Sequence, residues 1–379
     1  MSTGSLFEEG QLLVNVNDNS KRYAALQLLG AGTSGEVWRV VAPSDDDETR
    51  TAIIKFFDAR VYRTQKKLMK KLRREYLFAR WSTEIELHEG QLRPCENGSV
   101  CPYEVVVLMD QTGALFYGLM FNDNRGIDLD TYYKEYIHPA LESDPDDATF
   151  FSVDQQVFRI ATLLAYRVAI LHGLGAVHCD IKPPNILVTL DGGRVVDVFL
   201  IDFGLACTDR AKELLTQMGE DPNAIDCASV VDADGIRKYF YTGTPAYTDP
   251  QALTDSTENS TLRLFTAEEH ISLFKSFDLF SVALTLWYAW APRNYEMIGK
   301  QYVLPIPSRP TLLTPRNPGF IPPGNIPIDD RERTILQNSS VCFIFSKMCD
   351  NLERRLPADQ IYLLFRELEM FVRNAIESQ

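Results

Sequence analysis

The stretch that most constrains this chain is His178-Cys179-Asp180-Ile181-Lys182-Pro183-Pro184-Asn185. It is followed, past an apolar run and a Gly192-Gly193 turn, by Ile201-Asp202-Phe203-Gly204. Asp180 can accept the proton of an attacking hydroxyl. Asn185 and Asp202 offer oxygens, the ligands that a hard cation such as Mg²⁺ prefers. Lys182, two residues beyond Asp180, can reach a transferred phosphate. Groups of these types at this spacing point to phosphoryl transfer, where a protein mainly positions reactants and stabilises charge.

Upstream, residues 23–29 read as a strand and run into Gly30-Ala31-Gly32-Thr33-Ser34-Gly35. Glycine lets a backbone approach phosphate oxygens closely, because no Cβ intervenes. The same motif opens a helix in dinucleotide-binding folds. Here residues 37–41 read as a second strand, so the choice is between a phosphate-covering hairpin and a plain glycine-rich turn. Residues 51–57 form the next strand, in which Lys55 interrupts an apolar run. A buried ammonium needs partners, although a lysine at a strand edge needs none. Residues 65–81 favour helix. Leu68, Leu72 and Glu75 fall at i, i+4 and i+7 and share one face. Glu75 therefore points where the apolar stripe points and suits an ion pair with Lys55. Glu84 and Glu86 lie past the expected helix end. Residues 103–109 and 114–121 read as a hairpin around Asp110 to Gly113.

These features resemble the catalytic loop and the Asp-Phe-Gly motif of eukaryotic-type protein kinases, over roughly residues 21–370. The resemblance implies an α+β, bilobal protein kinase fold, with a small β-rich N-lobe carrying one main helix and a larger, mostly helical C-lobe. Residues 1–20 would be a flexible or loosely docked lead-in, 21–121 the N-lobe with a five-stranded sheet, and 122–379 the C-lobe. ATP would lie between the lobes. Gly30, Gly32, Gly35 and Val37 would cover it, and Met120, Phe121 and Asn122 would follow the adenine edge. Lys55 would take the α/β-phosphates and be oriented by Glu75. Asp180 and Lys182 would be catalytic. Asn185 and Asp202 would hold Mg²⁺, with Mn²⁺ as an alternative. Thr244, in Gly243-Thr244-Pro245-Ala246-Tyr247, would position substrate through Asp180 and Lys182. His178 and Asp278 would be structural, Asp278 holding the catalytic loop. Lys182 and the Thr244 segment imply transfer to Ser/Thr hydroxyls of proteins.

Two departures stand out. Asp249-Pro250-Gln251 replaces the family's Ala-Pro-Glu, so Gln251 cannot supply the usual carboxylate to Arg355. Asp249 is the available substitute. Cys179 replaces the arginine that receives an activation-segment phosphate, so activity independent of that phosphorylation is expected. Two other classes stay open: a pseudokinase acting as a nucleotide-binding scaffold, and a small-molecule kinase. The intact Lys55, Asp180, Asn185 and Asp202 weigh against the first. The Thr244 to Tyr247 segment weighs against the second.

Composition bounds the setting. The net charge of −14 disfavours nucleic acid as a partner. No apolar run reaches the roughly 18 residues of a membrane span, and no secretory signal opens the chain. Seven cysteines without CxxC spacing argue against a disulfide framework and for free thiols in a reducing cytoplasm. Delivery into another cell by a route without a classical signal stays open, as does oligomeric state. Residues 211–235 read as an insertion and 291–330 as a proline-rich irregular segment. Helices are expected near 276–290, 331–350 and 358–377.

Overall fold

Period-two alternation of apolar side chains writes the first third of the chain as strands. The computed structural model describes residues 5–32, 35–42, 50–62, 64–89, 102–123, 126–142, 147–252, 262–290, 339–349 and 352–377. They fall into two compact units, residues 1–125 and 126–379.

The first unit contains β1 (Leu12–Asn15), β2 (Arg22–Gly32), β3 (Gly35–Ala42), β4 (Arg50–Phe57), helix α1 (Gln65–Glu89), β5 (Glu104–Met109) and β6 (Leu115–Asn122). The strand order is β1-β2-β3-β4-β6-β5, and every neighbouring pair is antiparallel. Alternate residues feed two cores. Trp38, Val40, Ile54, Phe56, Val106 and Leu108 share one face with Leu13 and Phe7. Phe57 and Leu119 share the other with Leu68 and Leu72 of α1. Lys55 lies between Ile54 and Phe56, so the pleat turns it toward the α1 side.

The opening of the chain differs from expectation. Residues 12–15 are a sixth strand, not a loose lead-in, and β1 also pairs with β5 through Val14↔Met109 and Asn15↔Leu108. Phe7 is 4% exposed and lies 4.6 Å, ring to ring, from Phe56. Burying such a side chain is worth about 1.5–3 kcal/mol, enough to dock a short polar segment that shows no periodicity of its own.

The second unit starts with β7 (Ile127–Asp128) and α2 (Leu129–Tyr132), which Asp128 caps by accepting from Thr131 N at 2.9 Å. A π turn (Tyr133–Ile137) and α3 (His138–Glu142) lead to the long α4 (Asp147–Gly173). Then come β8 (Ala176–Val177), β9 (Ile186–Asp191), β10 (Arg194–Leu200) and β11 (Cys207–Thr208). Gly192 and Gly193 have φ of 55° and 80°, which suits the two-residue turn joining β9 to β10. The chain ends with α5 (Lys212–Gln217), β12 (Ser229–Val231), β13 (Arg237–Tyr239), α6 (His270–Trp290), α7 (Ser339–Cys349) and α8 (Ala358–Glu377). Helix α6 begins earlier than its apolar run suggests. It is buried on nearly every side from Phe277 onward, the mark of a core helix. The proline-rich 291–330 lies outside the described residues.

One expectation is corrected within residues 202–252, that the cysteines are free thiols. The insertion at 211–235 is organised: it carries α5, β12 and one end of a disulfide, Cys207–Cys227. Cysteine pairing depends on which strands the fold brings together, which spacing does not reveal. Cys179 and Cys349 are buried and outside any disulfide. The segment keeps a carboxylate–Arg anchor through Asp249, the substitute that the sequence offers. Arg355 Nη1 pairs with Asp249 Oδ2, both side chains being 1% exposed, and donates to Ser276 O at 2.8 Å.

Candidate active site

In the second unit the catalytic loop is built around a buried carboxylate on α6. Asp278 is fully buried and accepts from His178 N at 2.7 Å and Cys179 N at 2.9 Å. It also accepts from the Tyr241 hydroxyl at 2.8 Å, and His172 Nε2 lies at 3.2 Å. Burial pushes the Asp278 carboxyl up, but the hydrogen bonds it receives, that of His172 foremost, bring it below the ordinary carboxylate range. Burial holds His172 below the usual histidine value, against the pull of Asp278. Burial first, then the charge of Asp278, drives the Tyr241 phenol well above its usual range, so it stays a donor.

That hold lets Cys179 adopt a φ of 65°, a left-handed conformation that costs an ordinary residue about 1–3 kcal/mol. The turn presents Asp180 beside its partners. Asp180 Oδ1 accepts from Thr244 N at 3.0 Å and Thr244 Oγ1 at 2.7 Å. Asp180 Oδ2 accepts from Asn185 Nδ2 at 2.9 Å and lies 3.0 Å from Lys182 Nζ. Lys182 Nζ also donates to Thr244 Oγ1 at 2.8 Å. Asn185 Nδ2 further reaches Asp180 O at 2.8 Å. The amide hydrogens of Asn185 are thus turned to Asp180, and its Oδ1 is the atom able to serve a cation. His178 Nδ1 accepts from Asp180 N at 3.2 Å while Nε2 donates to Ile201 O at 3.0 Å, which assigns the proton to Nε2. This bond and the tilted contact of the His178 ring with Phe203 (5.1 Å between centroids) tie the loop to the Asp202-Phe203-Gly204 turn. Asp202, at φ 60°, is the second left-handed non-glycine residue of the described chain.

In the first unit, Lys55 Nζ donates to both carboxylate oxygens of Glu75, at 3.0 and 2.9 Å. Val37 lies opposite Lys55 in the β3–β4 register. Around the glycine arc the three glycines have different reasons to be glycine. A Cβ on Gly35, whose φ is 154°, would lie 1.8 Å from Phe56 O, so packing alone forbids one. Around Gly30 and Gly32 nothing lies within 4 Å of an added Cβ, so the fold does not demand glycine there and a close-lying phosphate would. Met120, Phe121 and Asn122 all remain inside β6, paired with Ile54, Ile53 and Ala52 of β4. The strand ends there, and Arg39 Nε donates to Asp123 Oδ2 at 2.7 Å just beyond.

The family model described as the phosphotransferase enzyme family, APH, matches residues 17–212, just over half of the chain. The chain belongs to this phosphotransferase family. Its fold is that of the bilobal protein kinases. A solved structure described as the ROP18 kinase domain in complex with AMP-PNP and sucrose is similar over 97% of this phosphotransferase and 86% of that chain, with TM-score 0.57 and 16% identity. ROP2 from Toxoplasma gondii, described as a virulence factor with a protein-kinase fold and no enzymatic activity, is similar over 98% and 88%, with TM-score 0.56. The Serine/threonine-protein kinase CG17528 of Drosophila melanogaster is 50% identical over 60 residues, 16% of this phosphotransferase and 8% of that protein. Among the described residues no helix is long and apolar enough to cross a membrane.

Three residues of this phosphotransferase's site escaped sequence reasoning. Tyr241 carries no motif. His172 lies near the end of a long helix and carries no motif. Glu36, between Gly35 and Val37, reads as an outward strand residue, yet it is buried and holds the amino-terminal segment. The one available signal for Tyr241 was a tyrosine two residues ahead of Gly243-Thr244.

Proposed function

We propose that this phosphotransferase moves the γ-phosphate of ATP to Ser or Thr hydroxyls of protein substrates. The observation that carries the reading is the double engagement of Thr244. Its amide and hydroxyl both reach Asp180, and its hydroxyl also accepts from Lys182. A segment that follows a long loop is thereby fixed to the residue that receives the acceptor's proton. That suits an extended peptide chain better than a small acceptor, which needs no such platform. Asp180 takes the proton as the hydroxyl attacks, and Lys182 offsets charge on the moving phosphoryl group. Lys55, oriented by Glu75, holds the α/β-phosphates. The open faces at Gly30 and Gly32 leave room for the nucleotide backbone to approach. Mg²⁺, held by Oδ1 of Asn185 and the carboxylate of Asp202, would neutralise phosphate charge. The family match and this donor set support ATP and a divalent cation as the cofactors.

We also read the activity as independent of activation-segment phosphorylation. Cys179 has no cationic side chain. It belongs to an apolar cluster with Cys207, Cys227 and Tyr241, which leaves a phosphate no arginine at this position.

The similarity to ROP2 makes a non-transferring nucleotide-binding module the second reading. A transfer assay with γ-labelled ATP and a basic protein acceptor separates them. Wild type should transfer label. Asp180→Ala should lose at least about 10²-fold in rate, the ~2.7 kcal/mol scale of a lost transition-state contact, with Mg·ATP binding retained. Nucleotide binding without transfer by the wild type would favour the module.

A further inference from the structure

The kinase reading leaves open what holds residues 241–244 against the catalytic loop once the arginine at position 179 is gone. Tyr241 is 1% exposed. Its ring meets Phe274 and Phe277 of α6 edge-on, at 5.4 and 5.3 Å between centroids. Its hydroxyl donates at 2.8 Å to Asp278 Oδ1, the same oxygen that accepts Cys179 N. Two residues on, an added Cβ at Gly243 would lie 2.7 Å from Cys179 O, so the chain presses on the catalytic loop there. One residue further, Thr244 closes on Asp180 and Lys182. Tyr241, Gly243 and Thr244 therefore contact the catalytic loop or its anchor in succession.

We infer that Tyr241 is a positioning residue, whose hydroxyl ties the acceptor-positioning segment to the carboxylate that shapes the catalytic loop. The tie is made by an uncharged group inside an apolar cluster and asks for no modification. A shared acceptor also makes the two elements interdependent: displacing the segment removes one of the donors that orient Asp278. This inference rests on the kinase reading for its catalytic consequence, but its structural content does not.

Tyr241→Phe is the direct test, because it keeps the ring between Phe274 and Phe277 and removes only the oxygen. The expected result is a loss of about tenfold in kcat for a protein acceptor, the rate equivalent of ~1.4 kcal/mol, with the KM for ATP unchanged. Amide hydrogen exchange should rise at residues 178–180 and 243–248 and stay unchanged through α6. The double variant with Thr244→Ala should lose no more than Thr244→Ala alone. A Tyr241→Phe protein with a lowered melting temperature but wild-type kcat and wild-type exchange at 243–248 would reduce Tyr241 to packing and overturn the inference. If the wild type transfers no phosphate, the kinase reading fails while the exchange pattern still decides the inference. Should Tyr241→Phe not fold, Gly243→Ala pushes the same segment off Cys179 O from the other side. It must then raise exchange at 243–248 and lower kcat, and wild-type behaviour of this variant counts against the inference.

Discussion

Glu36 and Asp278 are two buried carboxylates that do the same job in different surroundings. Each gathers donors from a segment far away in sequence. Glu36 accepts from Ser5 Oγ, from Leu6 N and, at 2.8 Å, from Trp38 Nε1. Asp278 accepts from His178 N, Cys179 N and Tyr241 Oη. Glu36 is 8% exposed near the start of β3, a strand paired on both sides, and holds the segment around residues 5–6. Asp278 is 0% exposed on a core helix and holds an internal loop that must turn through a left-handed residue. The lesson is that the cost of losing an anchor depends on what its partners can do next. The Ser5 hydroxyl and the Leu6 amide, both part-buried, can turn to water. The backbone amides at 178–179 cannot, because they are sealed under α6.

The sharpest break in the comparison is Asp278→Ala. It strands two buried amides and a buried hydroxyl, and losses of about 3–5 kcal/mol are typical when one member of a buried charged network is removed. Chemical denaturation should report a loss of that size, and transfer activity should vanish even in the folded fraction. A stable, active Asp278→Ala protein would overturn the view of Asp278 as the loop's anchor.

Glu36→Ala should cost less, about 1–3 kcal/mol, since the groups at Ser5 and Leu6 can bond to water and the Trp38 indole N–H is the one donor left buried. Hydrogen exchange should show residues 5–15 opening before the rest of the first unit. An unchanged melting temperature would mean that Phe7 alone docks the segment.

The smallest effect is on pH dependence, through His172 beside Asp278. His172 is held below the ordinary value of 6.5 by burial. The unfolded chain therefore binds a proton near that pH that the folded chain refuses. Stability should fall as pH drops below about 6.5, with a slope of at most ~1.4 kcal/mol per pH unit from this group. It should be restored to full value above that pH. His172→Gln should flatten the slope in melting curves between about pH 7.5 and 5.5. Equal slopes in variant and wild type would assign the effect elsewhere.

The contrast also explains how much could be read from sequence. The Asp278 site is legible because chemistry dictates residue types at fixed spacing: Asp180, Lys182, Asn185 and Asp202 are hard to arrange otherwise. The contact of Lys55 with Glu75 is legible from helical phase alone, through Leu68 and Leu72. The Glu36 site is not legible, since one phenylalanine among polar residues carries no period and a lone glutamate in a strand reads as outward. The Cys207–Cys227 bond was hidden for a different reason, because it depends on the path of the segment between. Asp249 sits between these cases. The departure from Ala-Pro-Glu showed that an anchor was needed, and the fold supplies it two residues earlier, paired with Arg355.

The docking of Phe7 changes where the molecule can be cut. The family match begins at residue 17, after Phe7 and β1. A fragment that starts at residue 17 and keeps everything after it would retain every residue assigned to chemistry. It would also leave Trp38, Phe56 and Phe116, against which Phe7 packs, without their cover. Bare apolar surface of that kind, beside strands that have lost a neighbour, invites self-association. The boundary of the family match and the boundary of the compact unit are thus different places in this chain, and the shorter one describes a sticky particle.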